Sequence, residues 1–200
     1  MAEHAGDPNI STAVPSLQRS IATGAIGFCL VSLIVFATVA FGERWMYRSF
    51  TVLGAYLAWT VLFILLSGGV FGSLVVGRWR LPRFFLMWAL AFFMYAAAWV
   101  VAYFTLRNTT GELLGSLAGS VLIALVFAAG FRSFGSAVKL SAVLFVSNAL
   151  GYFLGGALYY SVGRPLGMLL WGIAYGLFFG AGIGAALHFV QQGQANTVRR

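Results

Sequence analysis

The sequence predicts an all-α integral membrane protein, a bundle of six transmembrane helices with both termini in the cytoplasm. Three observations carry this. Of 200 residues, 61% are hydrophobic and only 8% are charged, whereas a soluble domain carries about 25% charged residues. The mean hydropathy is +0.93. The apolar residues also gather into six stretches that contain no Asp, Glu, Lys or Arg. Each stretch is long enough to cross a hydrocarbon core of about 30 Å at about 1.5 Å per residue. An ordinary soluble enzyme and a disordered chain are excluded. An outer-membrane barrel would show strands of about 10 residues alternating in hydrophobicity, and these stretches do not alternate.

Residues 1–20 read as a polar tail. The first span, 21–41, follows Glu3, Asp7 and a single Arg19, flanks that fit a retained span better than a cleaved signal. The second covers 50–76. The third, 84–106, opens after Pro82, and the sixth, 166–190, after Pro165; a first-turn proline loses no helical hydrogen bond. Between them lie the fourth, 113–131, where Thr109 to Glu112 fit a capping box, and the fifth, 140–160. Trp45, Tyr47, Trp79, Tyr159 and Tyr160 fall at span ends, as an interfacial aromatic belt requires. Residues 191–200 form a C-terminal tail.

Charge supplies the orientation. With six spans, one side of the membrane collects Arg19, Arg78, Arg80, Arg83, Arg132, Lys139, Arg199 and Arg200. The other holds Arg44, Arg48, Arg107 and Arg164. The basic majority places the termini and the second and fourth loops in the cytoplasm. The net charge of +8 therefore points to topology and anionic headgroups, not to nucleic acid. Arg78, Arg80 and Arg83 form the densest group, a topology anchor or a headgroup contact. Arginine far outnumbers lysine, which points to a GC-rich genome and a bacterial inner membrane.

Glycine spacing gives the packing. Gly172, Gly176, Gly180 and Gly184 recur every fourth residue, as do Gly111, Gly115 and Gly119, Gly151 and Gly155, and Gly68 and Gly72. Residues four apart share a helical face, and without side chains two backbones can approach closely. Such faces build a tight bundle, line a narrow pore, or join copies of the chain. Leu66-Ser-Gly-Gly69 with Val76-Gly-Arg78 resembles Phe153-Leu-Gly-Gly156 with Val162-Gly-Arg164. Val35-Phe-Ala37 likewise resembles Val126-Phe-Ala128, and Leu86-Met-Trp88 resembles Leu169-Leu-Trp171. Three spans per half would make these inverted repeats, an arrangement found in transporters.

Few residues offer chemistry. Asn148 is the most polar side chain well inside a span, with Ser147 beside it and Tyr152 and Gly155 on the same face; it either bridges helices or contacts a polar solute. His188 continues the last glycine ladder and should face protein. A haem or chlorophyll ligand role is the alternative to a polar group reaching the headgroups. Cys29 is the only cysteine and His4 the only other histidine, so neither disulfides, cysteine metal clusters nor a bis-His site can form within the chain. Glu43 and Glu112 lie beyond the spans, leaving no buried acid for ion coupling. No phosphate loop, dinucleotide fingerprint or HExxH motif occurs, and no catalytic residue, metal or cofactor is expected. The reading is a passive channel or facilitator for a small uncharged or lipid-like molecule. The alternative is a non-catalytic subunit of a larger membrane complex, contacting a haem or pigment. The expected partners are the bilayer and either further copies of the chain or other membrane subunits.

Overall fold

The computed structural model describes residues 13–76 and 80–198. Six helices, α1 (Leu17–Ser49), α2 (Val52–Gly72), α3 (Arg80–Leu106), α4 (Thr109–Gly130), α5 (Ala137–Val162) and α6 (Leu166–Val198), account for nearly all of them. All six are long and apolar enough to cross a membrane. Among the described residues the protein is therefore all-helical, and its helices fit the multi-pass membrane class.

Each helix packs on the next in sequence, and α6 returns to α1, closing a ring. The seam between α1 and α6 is the broadest, and small residues explain it. A Cβ on Gly24 or Gly180 would overlap the other's carbonyl oxygen, and one on Gly184 would overlap the Ser20 carbonyl. Gly172 lies against Phe36, and Gly176 against Cys29 and Phe28. Descending α6 thus matches ascending α1, so the two helices are antiparallel, with both termini at one end of the bundle. In hydrocarbon this proximity is the main source of attraction, because lipid tails solvate leucine as well as a neighbouring helix does.

The other ladders face the chain's own helices in the same way. Gly111, Gly115 and Gly119 lie on Ala102, Trp99 and Tyr95 of α3, while Gly151 and Gly155 lie on Tyr175 and Trp171 of α6. Gly68 and Gly72 receive Phe85 and Leu81. Inside the ring, Trp88 is fully buried among Phe71, Phe84, Phe92 and Phe127. Its indole N–H donates to Ser67 Oγ at 2.7 Å.

Helix ends depart from the apolar stretches for identifiable reasons. Helix α1 continues through Glu43, Arg44 and Arg48 to Ser49: its 33 residues span about 50 Å, more than the hydrocarbon needs, and its charged last turns lie beyond the apolar run. Helix α2 stops at Gly72, although Leu74 and Val75 are apolar and buried. There the chain turns inward, and Gln191 holds it: Val76 N donates to Gln191 Oε1 at 3.0 Å, and Gln191 Nε2 donates to the Leu74 carbonyl at 3.1 Å. Helix α6 correspondingly runs past residue 190, and Gln191, expected in a tail, is buried.

The capping box is corrected by one residue. The N-cap of α4 is Asn108, whose Oδ1 accepts from Gly111 N at 2.9 Å. Arg107 precedes it at φ 51°, a left-handed residue that ends α3. With the helix opening at Thr109, Glu112 falls past the reciprocal position and stands beside the Tyr152 hydroxyl instead.

At the end of the bundle opposite the termini, Arg164 of the α5–α6 loop pairs with Glu43 of α1, which also accepts from Tyr47 at 3.2 Å. The hydrogen bond to Glu43 raises the Arg164 pKa above its ordinary value. Trp45 and Tyr160 are well exposed, as a belt requires, while Tyr47 turns inward onto Trp59. Arg78, Trp79, Arg199, Arg200, His4 and the first twelve residues lie outside the described residues. Arg80 opens α3, and Arg83 donates to the Gly130 carbonyl at 2.7 Å, joining the start of α3 to the end of α4.

Candidate functional site

Helices α2 and α3 touch through Gly68, Gly72 and the Trp88–Ser67 bond, all near one end. Towards the other end large side chains replace the glycines, Tyr56, Trp59 and Phe63 on α2 and Phe92, Tyr95 and Trp99 on α3, with Phe63 and Phe92 at 5.6 Å between ring centres. Between the two helices opens a cavity of about 430 Å³, with Val35 and Phe36 of α1, Tyr152 of α5, and Trp171 and Tyr175 of α6 as its back wall. Small-molecule sites typically fall between about 300 and 1,000 Å³.

Leu53, Leu57, Phe93 and Val100 edge the cavity and are exposed, facing what a bilayer would fill with lipid. More than half of the wall residues are aromatic, and none is Asp, Glu, Lys, Arg or His. The absence of charge limits what can enter. An ionic group moved there would lose hydration without gaining a counter-charge, at a cost of several kcal/mol.

Polar groups meet at the cavity floor. Tyr175 donates from its hydroxyl to Tyr95 Oη at 3.3 Å, and Tyr95 donates to Asn148 Oδ1 at 3.0 Å. All three are buried, and Asn148 is completely so. The chain joins α6, α3 and α5. Asn148 Nδ2 has no partner among the described residues, and neither have Ser116 and Ser120 Oγ on α4 or the indole N–H of Trp59, Trp99 and Trp171. In an apolar surrounding such orphaned groups are expensive, at about 1–3 kcal/mol each.

The structure brings some of the sequence-selected residues together and separates others. Asn148 lies behind the cavity, bonded to its wall. Tyr152 is part of that wall and packs on Trp99 and Trp171 at 5.8 and 5.4 Å between ring centres. Ser147 is elsewhere: its Oγ donates to the Val143 carbonyl at 2.8 Å and fills the space left by Gly182 of α6. His188 is remote from the cavity, its Nδ1 2.8 Å from the Pro15 carbonyl, tying the chain before α1 to α6. No group of three or more possible metal ligands occurs among the described residues.

Tyr95 and Tyr175, the centre of the site, were missed by sequence reasoning. In spans apolar on every face, period alone does not show which tyrosine faces inward. The available signal was indirect: Gly119 leaves room for the Tyr95 ring, and Gly151 lets the Tyr175 backbone approach. Comparison with protein-family models, curated proteins and solved structures finds no match, so the chemistry must be argued from these residues alone.

The hydrogen-bonded chain makes a direct prediction. Tyr95→Phe and Asn148→Ala each leave a buried partner unsatisfied and are expected to cost about 1–3 kcal/mol in unfolding by SDS. Because they remove the same bond, the double variant should fall short of their sum by about 0.6–1.7 kcal/mol, the range of such couplings in membranes. Additive losses would mean that the bond contributes nothing to stability.

Proposed function

We propose that this protein is a passive facilitator that takes an uncharged, lipid-like molecule from the bilayer into the cavity between α2 and α3 and eases its passage between leaflets. One observation carries the reading: an aromatic, charge-free cavity with lipid-facing residues at its edge and a buried tyrosine pair at its floor. A charge-free wall favours a neutral molecule, and the lipid-facing edge favours one that partitions into hydrocarbon first. The basic loops favour cytoplasmic termini, and in that orientation the cavity lies in the outer half of the membrane. Arginine usage favours a bacterial inner membrane.

An inverted pair of three-helix halves fits the way the ring closes. Exchanging α1–α3 with α4–α6 maps the broad α3–α4 seam onto the broad α6–α1 seam. It also maps Gly155 against Trp171 onto Gly68 against Phe85, one turn from Trp88. The longer glycine ladders do not follow the exchange, standing on α4 in one seam and α6 in the other.

The test is transbilayer movement in liposomes reconstituted with the full chain. An acyl-labelled fluorescent diacylglycerol should become accessible to dithionite several-fold faster than in protein-free vesicles, measured by stopped flow in the cold. The equivalent phosphatidylglycerol, which is anionic, should be unaffected. Ala96→Phe, which places a ring in the cavity, should remove the acceleration. No acceleration, or equal acceleration of both lipids, would overturn the proposal.

A further inference from the structure

We propose that Glu43 is a positioning residue for the cavity: by joining Arg164 of the α5–α6 loop to Tyr47, it holds Trp59 and Tyr56 of α2 in the cavity wall. Its consequence for movement between leaflets rests on the facilitator reading; the placement of Trp59 does not. The first half of α2 needs such support. Before Ser67, only Ala55 and Trp59 of this helix are buried. With Val35 of α1 they form a small apolar cluster separate from the main core. Trp59 is therefore the largest buried side chain holding this stretch to the bundle.

Tyr47 stands behind that wall without lining it. Its ring meets Trp59 edge-on at 6.0 Å between centres, and Trp59 meets Tyr56 edge-on at 5.7 Å. The Tyr47 hydroxyl also lies beside that of Tyr56. A tyrosine near a membrane surface ordinarily turns its hydroxyl towards the headgroups, so an inward ring needs a polar partner. Glu43, one helical turn earlier on the same face, supplies it: Tyr47 donates to Glu43 Oε1 at 3.2 Å. The other carboxylate oxygen, Oε2, accepts from Arg164 Nη1. Each oxygen serves one partner, and the charge-assisted bond to Arg164 fixes the carboxylate in the orientation that Tyr47 requires. The loop between α5 and α6 is thereby tied, through Glu43 and Tyr47, to the part of the wall that α2 contributes.

The test uses the full chain in lipid nanodiscs, labelled with 5-fluorotryptophan and followed by fluorine NMR. The six tryptophans give one resonance each, and those of Trp59 and Trp88 are identified by their phenylalanine variants. Arg164→Gln removes the cation and should move the Trp59 resonance. Trp88, in the main core, should keep its position and so report an intact fold. Arg164→Lys should stay near wild type, because a lysine point charge can replace a single bond to the carboxylate. In a Tyr47→Phe background the ring remains but its bond to Glu43 is gone, so Arg164→Gln should cause no further movement. A Trp59 resonance indifferent to Arg164→Gln, or moved equally with Tyr47→Phe in place, would overturn the proposal. So would a lysine variant that behaves like the glutamine one. In the diacylglycerol assay Arg164→Gln should reduce the acceleration several-fold, and full acceleration despite a displaced Trp59 would overturn the effect on movement. If the wild-type chain gives no acceleration while Trp59 responds as described, the facilitator reading falls and the placement of Trp59 by Glu43 stands.

Discussion

Gly180→Leu is expected to prevent the six-helix ring from closing. Gly180 lies on the α1–α6 seam, where a Cβ would already overlap the Gly24 carbonyl oxygen and approach the Phe28 side chain at 2.7 Å. The first obstacle is backbone, which cannot rotate aside as a side chain could. Ordinary overpacking costs about 1–3 kcal/mol; here a whole isobutyl group has to separate two helices along their broadest contact. The loss should exceed that range and take a large part of a typical stability of about 5–15 kcal/mol. Gel filtration in mild detergent should then show little folded monomer. Gly69→Leu supplies the control, since nothing lies within 4 Å of the Cβ it would add, and it should shift the SDS unfolding midpoint very little. If Gly180→Leu behaves like Gly69→Leu, the close α1–α6 seam is wrong.

The same seam shows how the sequence encodes this fold. A glycine ladder is legible because it marks a face by what it lacks: at Gly176 and Gly180 only another backbone or a small neighbour fits, whichever helix supplies it. The partner was not legible. Ser20, Gly24 and Phe28 on α1 complete the contact, yet nothing in their spacing names α6 as the helix they meet. Asn148 was likewise recognisable as inward-facing by its cost in lipid, but Tyr95, its hydrogen-bond partner, lies 53 residues away in a span apolar on every side. Hydropathy measures transfer into hydrocarbon, and a protein interior and a lipid tail score alike. For that reason the six crossings could be read from composition. The cavity could not, because it depends on where α2 and α3 part.

Helix boundaries failed for a related reason. Leu74 and Val75 prolong an apolar run, so the second span reads through them, whereas Gln191 draws their backbone out of the helix. A polar residue beyond the last apolar stretch thereby sets the end of α2 from across the bundle. This contact and the Arg83 bond to Gly130 fasten α2, α3, α4 and α6 at the terminal end. The opposite end is fastened instead between α1 and the α5–α6 loop by Arg164 and Glu43, which leaves the gap between α2 and α3 edged by exposed side chains.

Trp88→Ala tests where the fastening at the terminal end draws its stability. Trp88 is fully buried, stacked parallel to Phe84 at 6.3 Å between ring centres, edge-on to Phe71 at 5.2 Å and tilted against Phe92 at 5.5 Å. Truncation removes the largest completely buried side chain and leaves a void that four aromatic neighbours from three helices cannot fill without leaving their own contacts. The expected loss is about 3–5 kcal/mol, as for other buried tryptophans. Trp88→Phe separates packing from hydrogen bonding. It keeps a ring in place and removes only the N–H donated to Ser67, whose hydroxyl remains bonded to the Phe63 carbonyl. Since no buried group is then orphaned, that variant should lose less than half as much as alanine. SDS unfolding followed by circular dichroism would rank them. An alanine variant no less stable than the phenylalanine one would place the core of the bundle elsewhere. The expected ranking has a consequence for the cavity. Trp88 lies below its floor, and Phe92 is common to the core and the cavity wall. Trp88→Ala should therefore also weaken the acceleration of diacylglycerol movement, even though Trp88 is not a wall residue, because the wall is held in shape by the core beneath it.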